Sequence, residues 1–186
     1  MVDFNPLQRQ PAILDFASPS QFRFNLTRVP NVEYFVSTVN IPGISFSGDA
    51  TVNTRFKSLS LMGDTLEYGD LELSFIVNED LSNYREIHDW MIGIAFPKNN
   101  QQFTNAMNSA PQTKPTLGRK SPLSQLASDA TLTILTNKNN PNLRVNFKAC
   151  YPTTLSGLSY NAQTTDSEQL TANVTFKYDI YEFEVL

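Results

Sequence analysis

The most constraining feature of this chain lies close to its C-terminus. From position 170 to 180, Leu170, Ala172, Val174, Phe176, Tyr178 and Ile180 alternate with Thr171, Asn173, Thr175, Lys177 and Asp179. A period of two puts one set on each side of an extended chain, so the segment is a strand with one dry and one wet face. Read as one strand from Glu168 to Phe183, it would span about 50 Å at roughly 3.3 Å per residue. An ordinary strand has about five or six residues. A strand that long overhangs a small domain unless it bends or pairs with another subunit. The alternation assigns Val174, Phe176 and Tyr178 to the core of the terminal strand.

Other segments repeat the signal. Phe22, Phe24 and Leu26 alternate with Arg23, Asn25 and Thr27. Val29-Pro30-Asn31-Val32 reads as a turn, and positions 33 to 41 as a second strand closed by Pro42-Gly43. Leu71, Leu73, Phe75 and Val77 form another dry face. Ala130, Leu132 and Ile134 begin a hairpin that turns at Asn139-Asn140-Pro141-Asn142 and returns from Leu143 to Cys150. One helix interrupts the strands. Leu81, Tyr84, Ile87, Met91 and Ile94 recur at three- and four-residue steps, and Asn78 or Asp80 can cap the helix start. The expected fold is therefore a β-rich α+β domain, with one main helix at about 80–95 packed on the sheet.

Three stretches depart from this regularity. Residues 1–20 contain Pro6, Pro11 and Pro19 and read as an N-terminal arm. Residues 44–69 alternate loosely between Ser, Thr or Asn and Phe46, Val52, Phe56, Leu59 and Leu61. They read as an exposed polar hairpin arm, one or two strands long, with enough apolar positions to pack on something. Residues 97–128 read as a long loop, with Phe103, Ala106 and Met107 able to make a short helical turn. Residues 21–186 form one domain carrying both the arm and the loop, which suits a chain of 186 residues.

Motifs for chemistry are missing. The sequence has no GxxxxGK or GxGxxG loop and no GxSxG elbow. His88, the single histidine, reads as a helix-surface imidazole, with a hydrolase base as the alternative. Asp64, Glu67 and Asp70 lack the regular oxygen spacing of a calcium loop and read as a solvated turn. Cys150, the only cysteine, reads as a small buried apolar residue. Trp90 reads as helix-to-sheet packing. No enzyme, cofactor or metal is expected. Fourteen Lys and Arg against 18 Asp and Glu, with no basic run, argue against a dedicated nucleic-acid binder. No stretch approaches the roughly 18 apolar residues that span a bilayer. Two classes remain besides catalysis: a self-assembling structural protein, and a monomeric β-barrel ligand-binding module whose interior the Phe and Tyr content would line.

The order of motifs adds a resemblance. The segment GDTLEYGDLELSFIVNED at 63–80, the helix around Tyr84 and His88-Asp89-Trp90-Met91, and YPTTLSGLSY at 151–160, read as a turn before the last strand, resemble the tube-protein family of T4-like contractile phage tails. The likeness runs over about residues 20–186. Within that family the run FIVNEDLSNYREIHDWM and the Ile41-Pro42-Gly43-Ile44 corner look most like the tail completion and sheath stabiliser branch, the tube terminator. The major tube subunit and the baseplate-end tube initiator share the fold and remain alternatives.

The resemblance implies a structural virion protein of the tail, assembled in the host cytoplasm, with no membrane partner. It implies a homohexameric ring whose strands join into a β-barrel around a channel. Genomic DNA passes through that channel without specific binding. Tube, sheath, neck or baseplate proteins would be the other partners. Thr171, Asn173, Thr175 and Asp179 are then candidates for the lumen or sheet-joining face.

Overall fold

A computed structural model describes residues 15–95, 98–109, 126–161, 163 and 169–186. The expected segments at 1–14 and 110–125 lie outside the described residues. In chain order the elements are β1 (Phe22–Leu26), α1 (Pro30–Tyr34), β2 (Val36–Val39), β3 (Ile44–Ser47), β4 (Ala50–Asn53), β5 (Ser58–Leu61), β6 (Thr65–Tyr68) and β7 (Leu71–Ile76). They continue with α2 (Ser82–Ala95), α3 (Asn100–Ser109), β8 (Ser128–Leu135), β9 (Pro141–Leu155), β10 (Thr171–Lys177) and β11 (Ile180–Val185).

β9 is the spine of the body. Its first part pairs with β8 on one side and β11 on the other, and β1 completes this first sheet beyond β8. Its last part, 151–155, pairs with β10, which leads through β7 to β2 in a second sheet. Every pairing is antiparallel. The strand changes sheets at Ala149, which has φ 56. Positive φ is uncommon for a residue with a side chain, and here the Ala149 amide donates to the Asp129 carboxylate at 3.0 Å. The β8 register shifts at the same place, so a bulge turns the corner between sheets.

The core lies between the sheets and under α2. The first sheet supplies Phe24, Leu26, Ala130, Leu132, Val145 and Phe147; the second supplies Leu71, Leu73, Phe75, Ala172, Val174 and Phe176, all buried. Ile87 and Trp90 of α2 complete it. Trp90 is positioned twice: its ring meets Phe176 at 5.9 Å, and its indole N–H donates to the Leu126 carbonyl at 2.7 Å. Asn83, fully buried, fixes the start of α2 by donating to the Ile76 carbonyl at 2.8 Å and accepting from the Asn78 amide at 3.2 Å. The Asp80 carboxylate accepts the Ser82 amide at 3.1 Å, which holds its pKa below the ordinary range. α3 crosses α2 closely at Gly93, where a Cβ would lie 2.4 Å from that of Ala106. The Arg28 guanidinium stands over Trp90 and donates to the Ala106 carbonyl at 3.1 Å.

The structure corrects several sequence expectations. Val29 to Val32 is not a turn: Pro30 opens the short helix α1, where its missing N–H costs nothing. The second strand is consequently shorter, Val36–Val39. The expected loop at 97–128 contains the ten-residue helix α3 and the first residue of β8. Tyr151 to Leu155 continue β9 rather than forming a turn. The terminal segment is two strands of seven and six residues, with a corner at Tyr178-Asp179. Both strands find partners in the same chain, so strand length is no evidence for assembly.

Candidate assembly interface

The two strands that edge into β7 and out of β2 continue past the body as one long hairpin. β3 pairs with β6 and β4 with β5, closed by a turn in which the Thr54 amide donates to the Lys57 carbonyl at 3.0 Å. Polar alternation forms these strands, as in the body, but the dry side stays uncovered. Register places Ile44, Phe46, Leu66 and Tyr68 on one side of the first ladder, with Ser45, Ser47, Thr65 and Glu67 on the other. In the second ladder Ala50, Val52, Leu59 and Leu61 share a side, opposite Thr51, Asn53, Ser58 and Ser60. Phe46 is 65% exposed, Met62 88% and Phe56, at the tip, 93%. Gly63 lies at the bend between the ladders; a Cβ there would come within 2.2 Å of the Ser47 carbonyl oxygen.

The root of this arm is anchored. Gly69 donates its amide to the Gly43 carbonyl at 2.9 Å. From the β10–β11 corner, the Tyr178 hydroxyl donates to the Gly69 carbonyl at 2.9 Å and the Tyr181 hydroxyl to the Pro42 carbonyl at 3.2 Å. The Tyr68 ring meets both tyrosines edge-on, at 6.1 and 5.4 Å, and both pack on Phe147. Burial pushes the Tyr178 phenol well above its ordinary pKa. The corner that breaks the terminal strand therefore holds both legs of the arm.

The outer face of the second sheet has a different chemistry. Thr38, Ser74 and Asn173 lie in one cross-strand row, and the Ser74 hydroxyl hydrogen-bonds the Asn173 side chain. Ser156 extends the row: its amide donates to the Asn173 carbonyl at 2.8 Å and its hydroxyl accepts the Asn173 amide at 2.9 Å. Glu72, Thr175 and Thr154 form the next row. The face is mostly hydroxyl and amide. The outer face of the first sheet is charged instead, with Arg144–Glu184 at 3.3 Å and Lys148–Glu182 at 2.6 Å. Among the described residues, β2 and the 151–155 part of β9 have no ladder partner on their outer edges. Directions alternate across β2, β7, β10 and β9, so a second copy's β9 beside β2 would pair antiparallel.

Of the sequence candidates, Thr171, Asn173 and Thr175 share this outer face, while Asp179 sits at the corner, its amide donating to the Lys148 carbonyl at 3.0 Å. Val174 and Phe176 are buried; Tyr178 is half-buried at the arm root. His88 is exposed on α2, 3.4 Å from Asp89. Cys150 is buried and free, and burial raises its thiol pKa. No metal-binding cluster exists among the described residues. No helix among them is long and apolar enough to cross a membrane. Sequence reasoning missed the Tyr178 and Tyr181 anchors. Four aromatic residues at 176, 178, 181 and 183 were the available signal.

The fold matches tube components of contractile injection systems. The chain is similar to the tube-terminating cap of the anti-feeding prophage, at 12% identity and TM-score 0.56, covering 96% of this chain and 97% of that one. It is similar to a chain of an extracellular contractile injection system's extended sheath–tube complex, at 13% identity and TM-score 0.55, covering 94% and 95%. A chain of that type of system's extended sheath/tube terminator aligns at 14% identity and TM-score 0.52, covering 93% and 100%. No curated protein matches. At the level of sequence, the phage tail tube protein family matches residues 2–184, and the chain belongs to that family.

Proposed function

We propose that this structural protein forms a closed ring in the tail, with β2 of each copy pairing with the 151–155 edge of β9 in the next. The observation that carries this reading is the four-stranded antiparallel sheet, open at both edges, with a hydroxyl- and amide-lined outer face. Unpaired strand edges are a hazard that ring closure removes. The hydroxyl face, with Thr171, Asn173 and Thr175, would line the channel. Sparse positive charge there would let DNA pass without sticking. Six copies, assembly in the host cytoplasm, and contact with tube, sheath and neck or baseplate proteins follow from the sequence resemblance.

Within the tail we assign the ring to the terminator, which caps the tube and stabilises the sheath. The FIVNEDLSNYREIHDWM run favours it, and the similar solved structures include a tube-terminating cap and a sheath/tube terminator. Native mass spectrometry and electron microscopy test both levels. A hexameric species that stops at one ring is the expected result. Long tubes grown from an initiator would make the chain a tube subunit instead. A strict monomer at every concentration would reject ring formation. Pro at Val39 should prevent rings while leaving the monomer folded, because Val39 lies between residues whose backbone groups bond β7, so its own N–H faces the open edge.

A further inference from the structure

Hydrogen bonding along the arm stays inside it. Among the described residues, the two ladders, the Thr54–Lys57 turn and the bond from the Ser58 hydroxyl to the Asn53 side chain join residues 44–67 only to one another. The large apolar side chains from Ile44 to Leu66 are exposed, so no buried face fixes the arm against the body. Its direction is set at the root. The legs meet there through Gly43 and Gly69, where a Cβ on Gly69 would lie 3.3 Å from the Gly43 carbonyl oxygen. Glycine allows that approach, but it also gives both legs the widest choice of backbone angles.

Two tyrosines remove that choice. Each leg offers one carbonyl and receives one hydroxyl: Gly69 from Tyr178 and Pro42 from Tyr181. One hydrogen bond would leave the arm free to pivot about it; two bonds on separate legs define an orientation. The donors are themselves fixed. Their rings meet at 6.0 Å, both pack on the fully buried Phe147, and Tyr68 of the arm closes edge-on against the pair. The clamp also stands between the two open edges of the second sheet. Tyr178 follows Lys177, whose partner is Tyr151, the first residue of the outer β9 edge. On the other side Asn40 follows β2; its side chain accepts the Glu72 amide at 2.8 Å and donates to the carbonyl of Asp70, the residue after Gly69, at 3.1 Å.

We propose that Tyr178 and Tyr181 are positioning residues for assembly: they preset the direction of the arm relative to the β2 and β9 edges in the free subunit, before any neighbour is met. The assembly role rests on the ring reading; the preset direction does not. Each hydroxyl works through a backbone carbonyl at the arm root. A subunit whose arm already points one way joins a ring without first selecting that orientation. An unclamped arm lowers the apparent affinity by the fraction of subunits that hold the competent orientation.

The free subunit and the ring test this separately. Nitroxides on Phe56→Cys, at the tip of the arm, and His88→Cys, on the exposed side of α2, report the direction of the arm by double electron–electron resonance, because the native Cys150 is buried. The monomer should give one narrow distance distribution. Tyr178→Phe with Tyr181→Phe should broaden it and leave the melting temperature of the body unchanged. Without the labels, the same double substitution should raise the concentration for half-maximal ring formation about tenfold in native mass spectrometry, as expected when about a tenth of the subunits hold the competent orientation. A broad distribution with both tyrosines present, or a narrow one that survives the loss of both hydroxyls, would overturn the preset arm. A broadened distribution with equal ring formation would overturn the assembly role, and so would a melting temperature that falls in step with the loss of rings. If the chain with both tyrosines forms no ring at any concentration, the ring reading falls and the assembly role with it, while the monomer distances still decide the preset arm.

Discussion

The second sheet and the arm are written in the same alphabet and end in opposite states. β10 alternates Thr-Ala-Asn-Val-Thr-Phe, and its Ala172, Val174 and Phe176 are sealed. β3 to β6 alternate in the same way, and Phe46 and Leu66 meet water. The difference is not in the strands but in what faces them. β10 lies under α2 and opposite the first sheet, whereas the arm projects past the last core layer. Alternation therefore specifies a strand with two faces and says nothing about whether its own chain supplies the cover. An uncovered dry face on a regular ladder is a surface waiting for another molecule.

The largest expected effect separates these regions directly. Phe176→Ala should destabilise the monomer by about 3–5 kcal/mol, read as a shifted urea midpoint, because it leaves a cavity under Trp90. Phe46→Ala should shift the monomer by less than about 0.5 kcal/mol, as an exposed site does, while reducing the assembled fraction. Equal losses in the free monomer would show that the arm's dry side is already covered.

A smaller, local effect is expected at the bend. Gly63→Ala drives a Cβ into the Ser47 carbonyl, at a cost of roughly 1–3 kcal/mol for an overpacked position. Limited proteolysis should then cut within 44–69 while the body's melting curve stays in place. Loss of the whole body would mean that the arm and core unfold as one unit.

The arm root should respond more weakly still. Tyr178→Phe together with Tyr181→Phe removes two hydroxyl donors and keeps both rings, at about 1 kcal/mol for each hydrogen bond. Hydrogen exchange at Gly69 should speed up, with β10 amides unchanged. Unchanged exchange at Gly69 would leave the rings, not the hydroxyls, as the anchor.

The smallest effect belongs to the body alone. Hydrogen bonding from Ser82 lowers the Asp80 pKa below its ordinary 3.8. A depressed carboxylate stabilises the folded state above the unfolded pKa, and that contribution disappears as pH falls through the folded value. Acid should therefore fray the first turn of α2, seen as NMR shift changes at Ser82 to Tyr84, and Asp80→Asn should remove this pH response.

Much of the body was readable in the residues. The dry faces of β1, β7, β8 and β10, the helix at 82–95 and the packing role of Trp90 follow from periodicity and capping chemistry. The apolar stripe Leu81, Tyr84, Ile87, Met91 and Ile94 packs on the core, though only Ile87 of it is fully buried. Asn83, Ile87 and Trp90 are the helix's buried line, because Asn83 satisfies the end of β7 and a buried amide escapes a search for apolar residues. The broken terminal strand was legible too, as a change of phase. Core-side residues are even-numbered through Phe176 and odd-numbered from Tyr181, and a one-residue slip turns every later side chain to the other face. α1 was missed and α3 was read only as a short helical turn, because short polar helices lack a long apolar stripe.

Sequence by itself determined that the chain makes strands with two faces, one long helix and a polar hairpin, since those depend on neighbours two to four residues apart. The motif order also led to the tail tube family. Only the tertiary structure decided which dry faces are covered, where β9 turns from one sheet to the other, and how two tyrosines hold the arm. Those outcomes depend on contacts between residues such as Gly69 and Tyr178, far apart in the chain, whose meeting no local pattern encodes.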